Sequence, residues 1–311
     1  MLPFKLVYSE KYFLPIGDHI FRADKFRLIR ERLLSERIAD EGDFIVPRPA
    51  SESEVMLVHS PHYVNKLLEG TLSAREELQM EIPYSPEVVD AFMLHTGGSI
   101  LAAEQALTDG VCINLGGGFH HAFPEHGEGF CMIHDFAVAI RTWQSRKCIR
   151  RAMTVDLDVH QGNGTAFIFN TAGRNPGTVF TISLHQEHNY PYTKPSSSID
   201  VGLRDGCSDA EYLAWLDTAL TNGLGRFEPE LICYVAGADP FREDQLGGLD
   251  LTIEGLQRRD EMVFRAARAR NIPVMVTLAG GYAIQLEDTV TIHCNTVVAA
   301  AEVYKPAVRE R

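Results

Sequence analysis

Residues 152–164 read AMTVDLDVHQGNG, an apolar run that ends in two carboxylates, a histidine and a glycine-rich turn. A short run of this kind, rich in Val and Thr, is typical of a strand buried on both faces of a parallel sheet. Such runs occur at 111–115, 152–159, 178–184, 231–238 and 274–280. Patterns typical of amphipathic helices occur between and beside them, at 86–108, 209–222, 252–270 and 286–304. The alternation predicts an α/β fold with an open, doubly wound, mostly parallel sheet and helices on both faces.

The start of one of these helices carries a further local signal. Ser208 precedes the helix predicted over 209–222, and Glu211 follows three residues later. This spacing predicts a capping box, in which each of the two side chains bonds the backbone N–H group of the other residue.

The composition is that of an ordinary globular protein. The 311 residues are 45% hydrophobic and 23% charged, and no repeat or linker divides them, so we expect one catalytic domain over 1–311. The net charge of −13 argues against direct binding to a nucleic-acid backbone. It is compatible with a cationic partner, such as a basic peptide or a polyamine, or with solubility alone.

The cysteines and the first residues bear on the compartment. Six cysteines are scattered along the chain without a C-x-x-C pair, which favours reduced thiols. The first residues show no signal-peptide pattern, and no apolar run reaches the roughly 18 residues that span a bilayer. We therefore expect a cytoplasmic protein with no membrane partner. The oligomeric state is left open.

Polar groups follow each of the five predicted strands directly. In open α/β sheets, ligands bind at the carboxyl ends of the strands. Segments that are far apart in sequence are therefore expected to meet at one edge of the sheet. They are Gly116 to His121, Asp158 to His160, Ser183 to His185, Asp239, and Gly280 to Tyr282.

The DLDVH segment indicates a metal site. In an extended strand, alternate residues share a side, so Asp156, Asp158 and His160 are expected to point the same way unless the end of the strand twists one of them aside. Carboxylate and imidazole are good ligands for Zn²⁺, although these residues could also begin a loop and bond its backbone. The turn 162–164 favours a site because it implies close backbone approach. Asp239 is the candidate third ligand, and three protein ligands would leave one catalytic position open.

The segment GGGFHH at 116–121 indicates proton transfer rather than phosphate binding. Its spacing is not G-x-G-x-x-G and no lysine follows, so a nucleotide site is poorly supported. His120 and His121 are better interpreted as a proton-handling pair whose tautomers are set by neighbouring carboxylates.

The segment Gly280-Gly281-Tyr282 offers a hydroxyl at the same edge of the sheet. The tyrosine could donate a hydrogen bond to a developing oxyanion, or its ring could simply pack on the sheet edge. The H-E-x-x-H motif of zincins and the G-x-S-x-G motif of serine hydrolases are both absent from the sequence.

Taken in order, GGGFHHA, VDLDVHQGNG, SLH, GAD and GGY resemble the histone deacetylase family. The resemblance runs from near Tyr8 to near Tyr282, and GGGFHHAFPEHGEGFC and DLDVHQGNG look most like the class IV deacetylases and their bacterial relatives. It implies the arginase/deacetylase α/β fold. Arginase itself carries a two-manganese D-x-H-x-D pattern, which this chain lacks.

Matched position by position, the resemblance implies two ion sites. The zinc ligands would be Asp158, His160 and Asp239. A structural monovalent-cation site, usually occupied by potassium, would be formed by Asp156, Asp158, His160, Ser183 and Leu184.

The resemblance also implies the catalytic groups. His120 and His121 would be the tandem pair, with Asp156 bonded to His120, and Tyr282 would be the oxyanion donor. A narrow tunnel for an extended acyl-lysine side chain would be walled by Gly129, Phe130, Tyr190 and Gly280. The Pro- and Ser-containing stretch 187–198 is expected to form a loop at its rim.

One position departs from the pattern of many family members, which place an aspartate where this chain has Asn163. A neutral amide can orient His121 but does not stabilise its imidazolium as a carboxylate would. Class IV relatives share the asparagine. We predict that Asn163→Asp raises the kinetic pKa of the base.

The expected function is a zinc-dependent amidohydrolase that removes acyl groups from an acyl-lysine peptide or a small acylated amine. Zinc would polarise the carbonyl and acidify water, and a histidine, His121 by preference, would transfer the proton. Alternatives are a catalytically weak, zinc-containing acyl-lysine binding protein, and a zinc hydrolase or structural metal module acting on another amide. The acyl length, the amine carrier, the division of labour between His120 and His121, and Zn²⁺ against Fe²⁺ are left open.

Overall fold

Eight parallel strands form one sheet in the computed structural model, which describes residues 1–171 and 177–305. The strands are β1 (Lys5–Val7), β2 (Phe44–Ile45), β3 (Val111–Asn114), β4 (Ala152–Asp156), β5 (Val179–Gln186), β6 (Ile199–Leu203), β7 (Leu231–Val235) and β8 (Val274–Thr277). Their order across the sheet is β2-β1-β3-β8-β7-β4-β5-β6, and every neighbouring pair is parallel.

Helices connect and cover the strands. They are α1 (Lys25–Ser35), α2 (Glu52–Val55), α3 (Pro61–Glu69), α4 (Ala74–Met80), α5 (Pro86–Asp109), α6 (Asp135–Ser145), α7 (Asn163–Ala166), α8 (Asp209–Arg226), α9 (Ile253–Arg268) and α10 (Leu286–Tyr304). Short 3₁₀ turns lie at Glu10–Tyr12 and Glu41–Asp43, and a π-helical turn, Phe167–Thr171, follows α7. α5 packs on α6, while α10 packs on both α1 and α9. The predicted doubly wound α/β fold is confirmed.

The five strands predicted from the sequence are consecutive in the sheet. β3, β8, β7, β4 and β5 lie side by side, and all residues of β3, β4, β7 and β8 are buried. The last residue of β4, Asp156, is level with both Ser183 and Val235. β3, β8, β7 and β4 therefore end level with one another, and the segments that follow them share one edge. β5 continues to Gln186, so Ser183 to His185 lie within that strand and not after it.

The strands missing from the sequence-based prediction are those nearest the two sides of the sheet. β1 and β2 have only three and two residues, too few for a pattern. β6 alternates between half-buried and exposed residues before a buried last residue, because it is an edge strand. Loop 187–198, between β5 and β6, was predicted correctly.

The capping box predicted at α8 is wrong, because its hydrogen bonds do not form. Ser208 is the N-cap residue, but its side chain makes no capping hydrogen bond. The carboxylate of Glu211 instead accepts from Arg204 Nη2 at 2.6 Å. An ion pair with the preceding loop has replaced the local bond.

All six cysteines are free, and Cys148 alone among them is exposed. Among the described residues, every helix is too short or too polar to cross a membrane.

Candidate active site and metal centre

Two carboxylates and one imidazole converge beyond the ends of β4 and β7. Asp158 and His160 follow β4, and Asp239 follows β7. One ligand-type atom of each lies within 4.8 Å of the others, and all three residues are buried. His160 Nδ1 is 3.1 Å from Asp158 Oδ1 and 3.5 Å from Asp239 Oδ2. The fold thus brings together the three residues predicted as metal ligands.

The chemistry of this group fits a divalent cation. Asp239 Oδ2 is buried and makes no hydrogen bond within the described residues, whereas its Oδ1 accepts from the N–H group of Val159 at 2.9 Å. Burial and the charge of Asp158 raise the pKa of Asp239, as expected for two carboxylates that are buried close together. A cation would relieve that repulsion, and carboxylate with imidazole is a donor set suited to Zn²⁺.

Backbone contacts hold these loops in place. The N–H group of Gly280 donates to Asp158 Oδ2 at 3.1 Å. A Cβ atom at position 280 would lie 2.1 Å from Asp239 Oδ2, so the close approach requires glycine. Behind the loops, the fully buried Arg259 of α9 donates to the carbonyl of Gly237 at 2.6 Å. The positions of the carboxylates are therefore set by three separate segments.

Asp156 takes a different place from the one that strand alternation predicted. β4 ends at Asp156, so the alternation does not extend to Asp158 and His160, and Asp156 is the residue left outside the metal-ligand group at the end of the strand. Asp156 Oδ1 accepts from the N–H group of Asp158 at 3.2 Å, and its Oδ2 lies 2.8 Å from His120 Nδ1. Asp156 therefore lies behind the histidine pair, outside the metal-ligand group.

The two histidines occupy the loop after β3, side by side with ring centroids 4.1 Å apart. His120 faces Asp156, while His121 Nδ1 lies 2.7 Å from Asn163 Oδ1. Because an amide oxygen only accepts, His121 carries its proton on Nδ1 and leaves Nε2 as an acceptor. Asn163 Oδ1 also accepts from the N–H group of Gly164 at 3.0 Å, which fixes the amide orientation.

The histidines differ in their electrostatic environment. Burial lowers the pKa of His120, but Asp156 and Asp158 outweigh it and raise that pKa to about 9. Burial and the charges of His120 and His160 hold the pKa of His121 well below its usual value. His121 is therefore the neutral member of the pair, and the neutral imidazole is the one that can accept a proton.

Tyr282 lies near the metal-ligand group on the segment after β8. Its N–H group donates to Asp244 Oδ2 at 2.6 Å, and its carbonyl accepts from Gln245. Burial, followed by the charge of Asp158, holds the pKa of the phenol well above its usual value. The hydroxyl is therefore protonated and available as a hydrogen-bond donor.

A cavity of about 220 Å³ connects these groups. The predicted tunnel residues all line it, and Phe130 has a positive φ of 66° after Gly129. A Cβ atom at Gly129 would come within 3.0 Å of the rings of both His121 and Tyr190, so only glycine lets the backbone approach these two rings so closely. The cavity is lined by Phe21, Glu81, Gly117, Gly118, Phe119, His120, His121, Gly129, Phe130, Cys131, Asp158, His160, Asn189, Tyr190, Leu246, Ala279, Gly280 and Tyr282.

Of the predicted monovalent-cation residues, Asp158 and His160 line this cavity, whereas Asp156, Ser183 and Leu184 belong to the neighbouring strands β4 and β5 and do not line it. Ser183 is paired in register with Asp156, and its hydroxyl lies 2.9 Å from His185 Nδ1. Leu184 is fully buried. The cation site remains a prediction.

Several residues of the site carry no signal that the sequence analysis used. Phe21 and Leu246 line the cavity, and the buried Lys25 has its Nζ 4.8 Å from the centroid of the Phe21 ring. Glu128 bonds Asn163 from a loop. The acidic residue inside HGEGF could have singled out Glu128, since a carboxylate between glycines beside a histidine pair is conspicuous. Nothing comparable marks Phe21 or Leu246.

One family model and several sequence relatives match most of this chain. Residues 19–297 match the model of the histone deacetylase domain. An uncharacterized protein of Picosynechococcus is 40% identical over 97% of this chain and 99% of its own length. Histone deacetylase 2 of Arabidopsis thaliana is 35% identical over 89% of this chain and 74% of its own length. The acetoin utilization protein AcuC of Bacillus subtilis is 30% identical over 79% and 69%, respectively.

The fold is also similar to that of a solved structure. The crystal structure of an HDAC homolog from Aquifex aeolicus superposes with a TM-score of 0.78 at 25% identity, covering 97% of this chain and 88% of that one. The structure of an HDAC homolog in complex with SAHA gives the same values.

Proposed function

This chain belongs to the histone deacetylase family, and on that premise we propose that it is a zinc-dependent deacylase that hydrolyses the amide of an acylated amine. The family makes it a hydrolase of the deacetylase type; the zinc ion and the acyl-amine substrate are our proposal. One observation supports it above the others: Asp158, His160, the histidine pair and Tyr282 line one narrow cavity.

We assign Asp158, His160 and Asp239 as the residues that would hold Zn²⁺. When bound, the ion would supply a Lewis acid that polarises the amide carbonyl and makes water more acidic. The in-register pairing of Asp156 with Ser183 supports a second, structural K⁺ site formed by Asp156, Asp158, His160, Ser183 and Leu184.

His121 is assigned as the general base. It is neutral and its Nε2 is the acceptor, so it can take a proton from water during attack on the carbonyl and later return one to the leaving amine. His120, paired with Asp156, would then carry positive charge beside the reacting group. Tyr282 would donate to the developing oxyanion, a contribution of about 3–4 kcal/mol for a well-placed donor.

The substrate would enter through the cavity between Phe130 and Tyr190, as an acyl-lysine of a peptide or as a small acylated amine. We further propose a class IV type, on the motifs GGGFHHAFPEHGEGFC and DLDVHQGNG and on Asn163. A single catalytic domain over 1–311 and a cytoplasmic location are proposals of the same kind.

Metal analysis combined with a substrate panel tests the function. The purified protein is expected to contain one Zn²⁺ and not Fe²⁺, and elemental analysis for zinc and iron measures which metal is bound. It should also hydrolyse fluorogenic acyl-lysine peptides or acylated amines in a reaction that a hydroxamate inhibits. The panel varies the acyl length and the amine carrier. Zinc binding without turnover on any acyl-amine would contradict the proposal and favour an acyl-lysine binding protein.

A further inference from the structure

Glu128 lies in the loop that joins the histidine pair to Phe130, and its carboxylate accepts hydrogen bonds from three other segments besides its contact with His126 of the same loop. Asn163 Nδ2 and the hydroxyl of Tyr190 donate to Oε1, at 2.6 and 3.0 Å. Gln79 Nε2 donates to Oε2 at 3.1 Å, and His126 Nε2 lies 3.3 Å from the same oxygen. One carboxylate therefore ties together helix α4, helix α7 and the loop after β5.

The carboxylate of Glu128 is ionised at neutral pH. Burial alone would raise its pKa, but hydrogen bonds from His126, Asn163, Gln79 and Tyr190 outweigh that effect and lower it. The side chain is only 17% exposed, so its charge is poorly screened by solvent.

Asn163 connects this charge to His121. Its amide oxygen lies 2.7 Å from His121 Nδ1, and its amide nitrogen lies 2.6 Å from Glu128 Oε1. A carboxylate that accepts from one end of an amide polarises it and makes the oxygen at the other end a better acceptor. Neither proton moves along this chain: the amide keeps its hydrogens, and His121 keeps the one on Nδ1.

Tyr190 forms a second link between Glu128 and His121. Its hydroxyl donates to the same oxygen as Asn163, and its ring meets the ring of His121 edge-on, with centroids 5.0 Å apart. Through this contact, the carboxylate also fixes one wall of the cavity.

We propose that Glu128 is a positioning residue that supplies, through the amide of Asn163, the negative charge stabilising His121 when it accepts a proton. The inference rests on the proposed function, because it assigns His121 as the base. Asn163 and Glu128 together would then do what one aspartate would do alone, and the neutral residue at position 163 would leave no electrostatic deficit.

The first test removes the charge and keeps the shape. Glu128→Gln is expected to lower kcat about tenfold with a smaller change in KM, because the lost interaction is strongest in the transition state. Glu125→Gln is the matched control: Glu125 lies in the same loop, is exposed, and bonds Ser60 instead. Zinc content and urea unfolding verify that the variants remain loaded and folded. An unchanged kcat in Glu128→Gln would overturn the proposal.

The second test moves the charge. Asn163→Asp alone would place two carboxylates 2.6 Å apart and is expected to lower kcat. In the double variant Asn163→Asp/Glu128→Gln, the aspartate accepts from both His121 and the new amide, so kcat is expected to return to within about threefold of the parent enzyme. A purely structural role for Glu128 would not produce this rescue. A double variant as slow as the product of the two single effects would overturn the proposal.

A third readout does not depend on turnover. The imidazole Nδ1–H proton of His121, identified by its loss in His121→Gln, is expected to resonate further upfield in Glu128→Gln because its hydrogen bond is weaker. Its shift should be unchanged in Glu125→Gln. If the parent protein hydrolysed no acyl-amine, the proposed function would be wrong. The chemical shift of His121 Nδ1–H would still show whether Glu128 acts on His121 through Asn163. An unchanged resonance in Glu128→Gln would overturn that link.

Discussion

Lys25 Nζ donates a hydrogen bond to the carbonyl oxygen of Ala279 at 2.6 Å, across 254 positions of sequence. The lysine is fully buried at the start of α1. Burial lowers its pKa to about 8, while the charges of Asp239, Asp158 and Asp244 act in the opposite direction. A buried cation therefore holds the segment after β8 through a hydrogen bond, and it interacts electrostatically with Asp158 and Asp239 of the metal-ligand group.

Replacing Lys25 with Met should loosen that segment. The carbonyl of Ala279 loses its donor in a buried place, which costs about 1–3 kcal/mol, and Ala279 has a strained φ of 56° that the contact helps to hold. We expect a lower free energy of unfolding and a kcat that falls more than KM changes, because Tyr282 is three residues away. Urea unfolding and steady-state kinetics measure both.

The control for this variant is Lys5→Met. Lys5 also donates to a backbone carbonyl, that of Gly42 at 2.7 Å, but at the surface. Its loss should change stability by less than about 0.5 kcal/mol. Equal effects at positions 5 and 25 would show that burial of the lysine is unimportant.

Tyr282→Phe should separate chemistry from folding. The backbone of Tyr282 is held by Asp244 and Gln245, so the ring should keep its place without the hydroxyl. We expect kcat to fall about 10²- to 10³-fold, as for other single oxyanion donors, with little change in KM or thermal unfolding. Tyr192→Phe, at a fully exposed tyrosine, is the control. A loss confined to KM would instead indicate a role in binding.

The sequence predicted the central sheet well because its strands are buried on both faces. Near-continuous apolar runs leave few alternatives, and the polar residues at or just beyond the carboxyl ends of β3, β4, β5, β7 and β8 were expected to meet at one edge. The short strands β1 and β2 and the edge strand β6 lack that constraint, so no pattern marked them.

The supporting residues of the site could not be predicted in the same way. Glu128 reaches Asn163 over 35 positions and Tyr190 over 62, and Lys25 reaches Ala279 over 254. Such contacts depend on how loops fold over the sheet, which local pattern does not encode. The ligand and histidine candidates were accessible because each directly follows a predicted strand.

Removing one carboxylate of the metal-ligand group should affect metal retention and stability in opposite directions. Asp239→Asn takes away a charged oxygen that accepts no hydrogen bond within the described residues, so zinc should be lost on dialysis against a weak chelator. Without metal, the variant should be at least as stable as the parent protein, since the repulsion between Asp239 and Asp158 is gone. Elemental analysis and urea unfolding with and without zinc test both expectations.

The control for metal retention is Asp217→Asn, at an exposed aspartate of α8. It should retain zinc like the parent protein. Full zinc retention in Asp239→Asn would remove Asp239 from the ligand set.

Buried His95 should make the fold sensitive to acid. Its Nε2 donates to the carbonyl of Tyr12 at 2.9 Å, and its Nδ1 accepts from the N–H group of Gly117 at 3.2 Å. The bond from Gly117 requires the neutral ring, because Nδ1 can accept only when it carries no proton. Burial, with a smaller contribution from the charge of Lys25 and against the bond to Tyr12, lowers the pKa of His95 to about 3.

The sign of the effect follows from proton uptake. Below the ordinary histidine pKa of about 6.5, the unfolded chain binds a proton at position 95 that the native state does not. As the pH is lowered below about 6.5, the contribution of this residue to the free energy of unfolding should therefore fall by about 1.4 kcal/mol per pH unit, until the pH approaches about 3. His95→Asn abolishes this contribution while other titrating groups are unchanged. The stability advantage of the parent protein over His95→Asn should thus shrink steadily between pH 6 and pH 4. His62→Asn, at an exposed histidine, should show no such trend. A difference between parent and His95→Asn that stayed constant with pH would mean that His95 is protonated in the native state, against the hydrogen bond from Gly117, which requires an unprotonated Nδ1.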